Sequence, residues 1–405
     1  MNASPTTGGS PVLLAFSGGL DTSFCVAWLK ETLGRPVITV TVDTGGGVDT
    51  AALEARALAL GAERHITVDA RGEFFDSVLK YLVFGNVRRG QLYPLCVGAE
   101  RGLQARLVAA QAAELGSETV AHGSTAAGND QVRFEVALRT LRPGLEVLAP
   151  VRDHDWQRAD QVAWLEARGL PAPAGGGAYS INRGLWGTTI GGKETLDSRE
   201  PLPESAWVAT AGAFDKPRAP EQHRIGFERG VPVALDGEPL DPVTLIERLE
   251  VLAGAFGIGR GIHLGETILG SKGRVAFEAP AAETLLTAHR ELEKLTLTGM
   301  QQKIKEPLAL TYGDLVHEGQ HMEPAARDIE ALLASSQARV TGEVHLLFRP
   351  GVLFVEGTTS PHSLLAATKG KYGESAGEWS AADALGLARM KALAGMLHTR
   401  AGSGT

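Results

Sequence analysis

A chain of 405 residues, 43% hydrophobic and 21% charged, is long enough for two or three domains with a sizeable core. Its formal net charge of −8 argues against general affinity for nucleic acid or an anionic membrane, leaving room only for a local basic groove. Its two cysteines, Cys25 and Cys96, form no CxxC pair, which excludes a disulfide framework and a cysteine zinc site; both read as inert fillers. No apolar run approaches the roughly 18 residues that suggest a membrane span. Residues 1–11 are polar and lack signal-peptide regions, so a short flexible leader on a cytoplasmic protein is the expectation.

The first element is an apolar run, Val12 to Phe16, that stops at Ser17-Gly18-Gly19 and gives way to a helix with Phe24, Ala27, Trp28 and Leu33 as its expected buried side. Strand, glycine turn and helix start make an anion site, because backbone N–H groups and the helix N-terminus converge on a phosphate. Ser17, Thr22 and Ser23 add hydroxyl donors. No lysine sits in the loop, so it is not the loop that holds a transferring γ-phosphate.

Strands follow at 37–42, 64–68, 118–122 and 145–149, alternating with helices at 49–60, 72–83, 98–115 and from Gly128 or Asn129 onward. That alternation predicts a parallel, doubly wound α/β sheet whose ligands sit beyond the carboxyl ends of the strands. The glycine turn after the first strand and the stretch Ala121–Glu135 after the fourth share that edge. Asn129, Asp130 and Arg133 fall on one helix face, with Thr125 just before it. Such a cluster suits a ligand with carboxylate and ammonium groups, Asp130 taking the ammonium.

A helix at 157–168 closes this half, and residues 171–178, rich in proline and glycine, form the best linker. Beyond it, short alternating stretches at 224–227, 232–235, 275–278, 340–348 and 351–355 mix with helices near 242–256, 280–294 and 323–335, predicting an α+β domain. The tail begins with a Ser380…Asp383 cap, then places Leu387, Met390, Ala394 and Leu397 on one helical stripe. That stripe packs on its own domain or forms an oligomer contact. Gly187–Glu194 misses the serine or threonine a phosphate loop needs and reads as a loop; Gly257–Gly261 reads as a turn. Asp153-His154-Asp155 has metal-ligand spacing but reads as solvated polar residues, so no metal ligand is assigned.

With both dense stretches in view, the chain resembles the argininosuccinate synthase family over nearly its whole length. The matching pieces are Ala15–Ser23, Ala121–Glu135, Tyr179–Gly187, Gly257–Arg260 and Gly270–Arg274; the first marks only the wider ATP pyrophosphatase superfamily. The resemblance implies ATP, with Mg2+, activating the ureido oxygen of citrulline as an adenylate, followed by attack of the aspartate amine. By position, Ala15, Phe16, Ser17, Gly18, Gly19, Leu20, Asp21, Thr22, Ser23, Val42 and Gly123 would touch ATP. Thr125, Asn129 and Asp130 would hold aspartate. Tyr93, Gly98, Asn129, Arg133, Ser180, Thr189, Gly265 and Phe277 would line the citrulline side. No side chain is assigned as nucleophile; Asp130 and Arg133 would align the reactants.

The implied organisation is a leader at 1–11, a nucleotide-binding domain at 12–172, an α+β synthetase domain at 173–375 and an oligomerisation helix at 376–405, assembled as a homotetramer. Departures concentrate at the acceptor end. The family's Gly-Thr-Ser-x-Ala-Arg-Pro is here Cys96-Val-Gly-Ala-Glu-Arg101-Gly, a glutamate aligns with Gly265, a tyrosine with Phe277, an aspartate with Asn182 and a glutamate with Gly191. These departures leave two alternatives to citrulline ligation: aspartate joined to a different ureido or carbonyl acceptor, or a non-catalytic nucleotide and aspartate sensor. The superfamily's tRNA-modifying activities are disfavoured by the acidic charge and the missing CxxC.

Overall fold

The computed structural model describes residues 9–172 and 179–402, so most of the expected leader and residues 173–178 of the expected linker lie outside the described residues. Five strands, β1 (Val12–Ala15), β2 (Val37–Asp43), β3 (Arg64–Asp69), β4 (Thr119–Ala121) and β5 (Glu146–Leu148), form an all-parallel sheet in the order β3-β2-β1-β4-β5. Parallel pairing needs crossovers, and helices supply them: α1 (Leu20–Leu33), α2 (Thr50–Ala59), α3 (Arg71–Phe74), α4 (Lys80–Gly85), α5 (Arg101–Glu114) and α6 (Asn129–Leu141). A π-helical turn, Phe75–Leu79, joins α3 to α4. Then α7 (Pro150–Asp153) and α8 (Arg158–Glu166) close this half.

Alternation along β1 explains why both sheet faces are covered. Val12 and Leu14 pack with Phe24, Val26 and Leu29, while Leu13 packs with Val78, Leu79 and Val108. The doubly wound expectation holds. One residue departs from it: Leu33 is 37% exposed, because it lies in the last turn before the left-handed cap Gly34, and Cys25, Val26 and Leu29 fill the core instead.

The second half is α+β. One antiparallel sheet, in the order β11-β12-β7-β6, contains β6 (Ser180–Gly184), β7 (Gly187–Gly191), β11 (Arg260–Glu266) and β12 (Lys272–Glu278). The other, in the order β10-β9-β8-β13-β14, contains β8 (Glu221–Glu228), β9 (Val231–Leu235), β10 (Glu238–Pro239), β13 (Gly342–Arg349) and β14 (Val352–Thr359). Helices α9 (Pro242–Gly254), α10 (Pro280–Thr296), α11 (Gly299–His317) and α12 (Pro324–Ser336) accompany them.

Two expectations are adjusted here, and one helix is added. Residues 187–191 are strand rather than loop, with Thr188 and Ile190 buried between glycines that mask the alternation. The 257–261 turn is real at Gly257 and Gly259, both at positive φ, but Arg260 already opens β11. Helix α11 was missed because Pro307 lies inside it and reads as a break.

A single hydrophobic cluster runs from the α4 and α5 face of the parallel sheet to α9, α10, α12 and β13, so the two halves share a core. At their junction Lys305, 2% exposed, donates to the Phe84 carbonyl at 2.7 Å and pairs with Glu293. Glu293 also accepts from Asn86 at 2.6 Å and Gln337 at 2.7 Å, which is how a buried ion pair becomes tolerable.

After α13 (Leu364–Ala367), α14 (Ala381–Gly402) begins at the expected cap: Ser380 N–H donates to Asp383 Oδ2 at 2.9 Å, and Asp383 N–H donates back to Ser380 Oγ at 3.2 Å. No residue of α14 is buried, and Leu387, Met390 and Leu397 are all more than half exposed, so this stripe does not pack on its own domain.

Candidate active site

Beyond β1 the chain turns through Ser17–Gly19 with Gly18 at φ +73°, a conformation a side chain resists. A Cβ on Gly18 would also stand 2.2 Å from a Leu53 methyl. Gly19 is the N-cap of α1 and offers no side chain, so the first N–H groups of the helix stay open to an anion. Hydroxyls rim the loop: Ser17 Oγ lies 3.2 Å from Thr22 Oγ1, and Thr22 donates to the Gly19 carbonyl at 3.3 Å. Arg56, from α2, donates to the Gly18 carbonyl at 2.6 Å and fixes the turn from outside. Phe16 is locked by β2, its N–H donating to Val40 and its carbonyl accepting from Thr41 Oγ1, with Val42 at the carboxyl end of the same strand.

The loop after β4 comes directly against this turn. A Cβ on Gly123 would lie 3.0 Å from the Thr22 backbone nitrogen and 3.1 Å from the Asp21 carbonyl carbon. The two loops therefore share one sheet edge, as the alternation of strands and helices predicted. Helix α6 starts six residues later, and its N-cap, Gly128, again supplies no side chain. Asn129 reaches across the molecule, its Oδ1 accepting from the Ile268 N–H at 2.9 Å in the turn between β11 and β12.

Asp130 and Arg133 do share a face, and they form a larger array. One Asp130 oxygen accepts from Arg133 at 2.7 Å and the other from Arg101 at 2.9 Å. Burial pushes this carboxyl up, but the charges and hydrogen bonds of Arg101 and Arg133 together hold it well below the usual carboxylate range. Arg133, 7% exposed, also donates through Nε to the His317 carbonyl at 2.7 Å and through Nη2 to His317 Nδ1 at 3.1 Å. Gly98 sits under that guanidinium, where a Cβ would be 3.1 Å from Nη2.

The rest of the expected acceptor side assembles around Tyr93. Its ring stacks on His263, 5.5 Å between centroids, and meets Phe277 edge-on at 5.2 Å. Phe277 pairs with Thr189 across β12 and β7, and Thr189 pairs with Asn182 across β6. Ser180 lies exposed at the far end of that ladder, opposite Gly191. Gly265 faces Gly273, and a Cβ on it would stand 2.5 Å from His263 Nε2.

Four participants escaped the sequence reading: Glu100, Arg101, His263 and His317. Adjacent charges at a helix start were the available signal for the first two; His317 carried none, since its helix was itself unrecognised. Glu100 is 2% exposed and accepts from Thr44 Oγ1 at 2.9 Å. Burial outweighs the pull of Arg101 and pushes its carboxyl up to about 8.

A carboxyl that holds its proton when folded but ionises when unfolded loses stability as pH rises from about 4.5 toward 8. Urea titrations of Glu100→Gln across pH 5 to 8 are expected to show a flatter slope than wild type, the variant gaining relative stability at the alkaline end. Parallel slopes would show that Glu100 ionises normally.

Two other features prove structural. Asp153 accepts from the Ala149 N–H and pairs with Arg152, while the His154 ring packs tilted against Trp28, 5.0 Å between centroids. Cys25 and Cys96 are fully buried, and burial pushes both thiols well above their ordinary range.

Comparison with known proteins bears on the whole chain. The family described as "Arginosuccinate synthase N-terminal HUP domain" matches residues 11–171, and "Arginosuccinate synthase C-terminal domain" matches residues 179–398. A protein of Symbiobacterium thermophilum named argininosuccinate synthase is 41% identical over 355 residues, 87% of this chain and 88% of that one. Its namesake in Xanthomonas axonopodis pv. citri is 40% identical over 98% of this chain and 96% of its own length. That of Thermosynechococcus vestitus is 40% identical over 89% and 91%. With both domains matched in order along nearly all of its length, the chain belongs to the argininosuccinate synthase family.

Proposed function

We propose that this enzyme is an ATP-dependent carbon–nitrogen ligase that joins citrulline to aspartate as argininosuccinate, a step of arginine biosynthesis, releasing AMP and pyrophosphate. The observation that carries the reading is the contact of Gly123 with Asp21 and Thr22, which brings two open helix starts to one sheet edge. The loop Ala15–Ser23, with Val42 and Gly123, takes ATP. Thr125, Asn129 and Asp130 take aspartate, and Tyr93, Gly98, Arg133, Ser180, Thr189, Gly265 and Phe277 border the acceptor.

The ureido oxygen attacks the α-phosphorus and the bond to pyrophosphate breaks, which suits a loop that holds phosphates without a lysine. The aspartate amine, having shed one proton, then attacks the activated carbon. The C–O bond to AMP breaks, and a second proton leaves as the guanidinium forms. Alignment and preorganised charge supply the catalysis, with no covalent protein intermediate. Among the described residues no group of three His, Cys, Asp or Glu could cage a metal. The hydroxyls and open helix start of the Ser17–Ser23 loop fit phosphates that would themselves carry most of a magnesium ion's ligands. When bound, the ion would neutralise charge on the departing pyrophosphate.

The reaction is tested by supplying the full chain with Mg-ATP, aspartate and citrulline, and measuring pyrophosphate together with the mass of the joined product. Pyrophosphate release that ignores citrulline, with no product, sinks the proposal.

We further propose a cytoplasmic homotetramer, with residues 12–172 as nucleotide domain, 173–375 as synthetase domain and 376–405 as the assembling arm. No described helix is long and apolar enough to cross a membrane. The support for the arm is the exposed stripe on α14, whose apolar residues need a partner surface. Truncation after residue 375 is expected to lower the mass seen by light scattering to that of a smaller assembly. An unchanged mass would remove the arm from the interface.

A further inference from the structure

The acceptor side of the site is rich in hydrogen-bond donors and poor in free carboxylates. Both Asp130 oxygens are taken by Arg101 and Arg133. Glu100 is buried against Thr44 and the backbone of Gly184. Glu266 is exposed and bound to Lys272 at 2.8 Å. Where the wall comes closest to Arg133 and His263 it is glycine, at Gly98 and Gly265, and beside Tyr93 it is the apolar ring of Phe277.

One donor, by contrast, lacks an acceptor. A guanidinium only donates, so the contact from Arg133 Nη2 makes His317 Nδ1 the acceptor and puts the ring hydrogen on Nε2. His317 is 6% exposed, and its Nε2 has no hydrogen-bond partner among the described residues. Burial, then the neighbouring Arg133 and Arg89, hold this imidazole down to about 3, so at neutral pH it is an uncharged donor. A buried N–H left this way costs free energy until an oxygen meets it. Arg89 forms no ion pair among the described residues, and its charge bears on His263, His317 and Glu266. Three guanidinium groups, Arg89, Arg101 and Arg133, thus share this end of the site with Asp130, while Glu266 is paired with Lys272 and Glu100 is held protonated by burial.

We infer that the acceptor end of this site is built for a ureido compound that carries a carboxylate and no ammonium group, and that the chain joins aspartate to such acceptors more readily than to citrulline. The inference rests on the ligase reading above and leaves its chemistry unchanged: the same P–O and C–O bonds break and the same C–N bond forms. A carboxylate oxygen satisfies His317 Nε2–H and draws on the excess guanidinium charge. An ammonium group in the same space meets that charge as repulsion, and the carboxylate at hand, Asp130, is already shared between Arg101 and Arg133 and serves aspartate in the reading above.

The test uses the full chain with Mg-ATP and aspartate, and two acceptors that differ only in the α-ammonium group: citrulline and δ-ureidovalerate. Aspartate-dependent pyrophosphate release and product mass give kcat/KM for each. At least a tenfold preference for δ-ureidovalerate is expected, falling toward parity in Arg89→Gln. Equal values, or a preference for citrulline, overturn the inference while leaving the ligase intact. If neither acceptor turns over, the ligase reading fails by itself, and calorimetric binding decides this one. Tighter binding of δ-ureidovalerate by about tenfold sustains it, and equal or weaker binding overturns it.

Discussion

Gly123→Ala is expected to lower kcat/KM for ATP by about 100-fold, equivalent to about 2.7 kcal/mol of transition-state stabilisation, in a protein that still folds. The added methyl would stand 3.0 Å from the Thr22 backbone nitrogen and 3.1 Å from the Asp21 carbonyl carbon. Backbone cannot swing aside as the end of a side chain can, so either the first turn of α1 or the exit of β4 must move. Either shift parts the phosphate loop from the loop that leads to Thr125 and Asn129. The α-phosphorus and the aspartate amine then lose their common frame, although every hydrogen-bonding group survives. Thermal unfolding close to wild type, together with impaired pyrophosphate release, is the signature of this effect. Full activity in the variant would mean that the two loops act independently. Gly18→Ala would act differently: its close contact is with a Leu53 methyl that can change rotamer, and its cost comes from the φ of +73° that a side chain resists.

That contact also marks how far the sequence could be read. The parallel half was legible because its signals are local: β-branched runs of strand length, helices ending at Gly34, Gly61 and Gly116, and a glycine turn that only a strand-to-helix junction explains. Asn129, Asp130 and Arg133 were legible as one face for the same reason. What stayed hidden is non-local. Strands β6 and β7 are short and punctuated by Gly184, Gly187 and Gly191, so their pattern emerges only from pairing with β12. Helix α11 tolerates Pro307 because packing on α4 and α12 holds it on either side of the proline. His317 enters the site from the end of that helix, 184 residues beyond the arginine it holds, and no spacing rule spans such a gap. The array around Asp130 follows the same logic: three of its members come from separate elements, and their charges acquire meaning only once α5, α6 and α11 have met.

Asp130→Ala should have the largest effect on the acceptor and aspartate steps, with activity falling about 1,000-fold and stability by about 2–3 kcal/mol. The carboxylate is the counter-ion of both Arg101 and Arg133, at 2.9 and 2.7 Å. Its removal leaves two guanidinium groups side by side, one of them in an arginine only 7% exposed, with their repulsion no longer screened. Loss of a partner from a fully buried pair costs about 3–5 kcal/mol. Here 38% of the Asp130 side chain remains exposed, and water recovers part of that loss. Arg133 keeps its Nε and Nη2 bonds to His317, so the helices stay docked while its Nη1 loses its acceptor on the face it shares with Asn129. The defect should therefore appear in KM for aspartate and for the acceptor, with KM for ATP changed by less than about threefold, since the phosphate loop is untouched. The pH dependence gives a second check. A carboxyl held below its unfolded value near 3.9 contributes stability that is fully present above that value and is lost as pH falls through the folded one. The stability gap between wild type and variant should accordingly be constant from about pH 5 to 8 and narrow below pH 4. A gap that instead opened or closed near neutrality would assign the charge to another group, with Glu100 next in line.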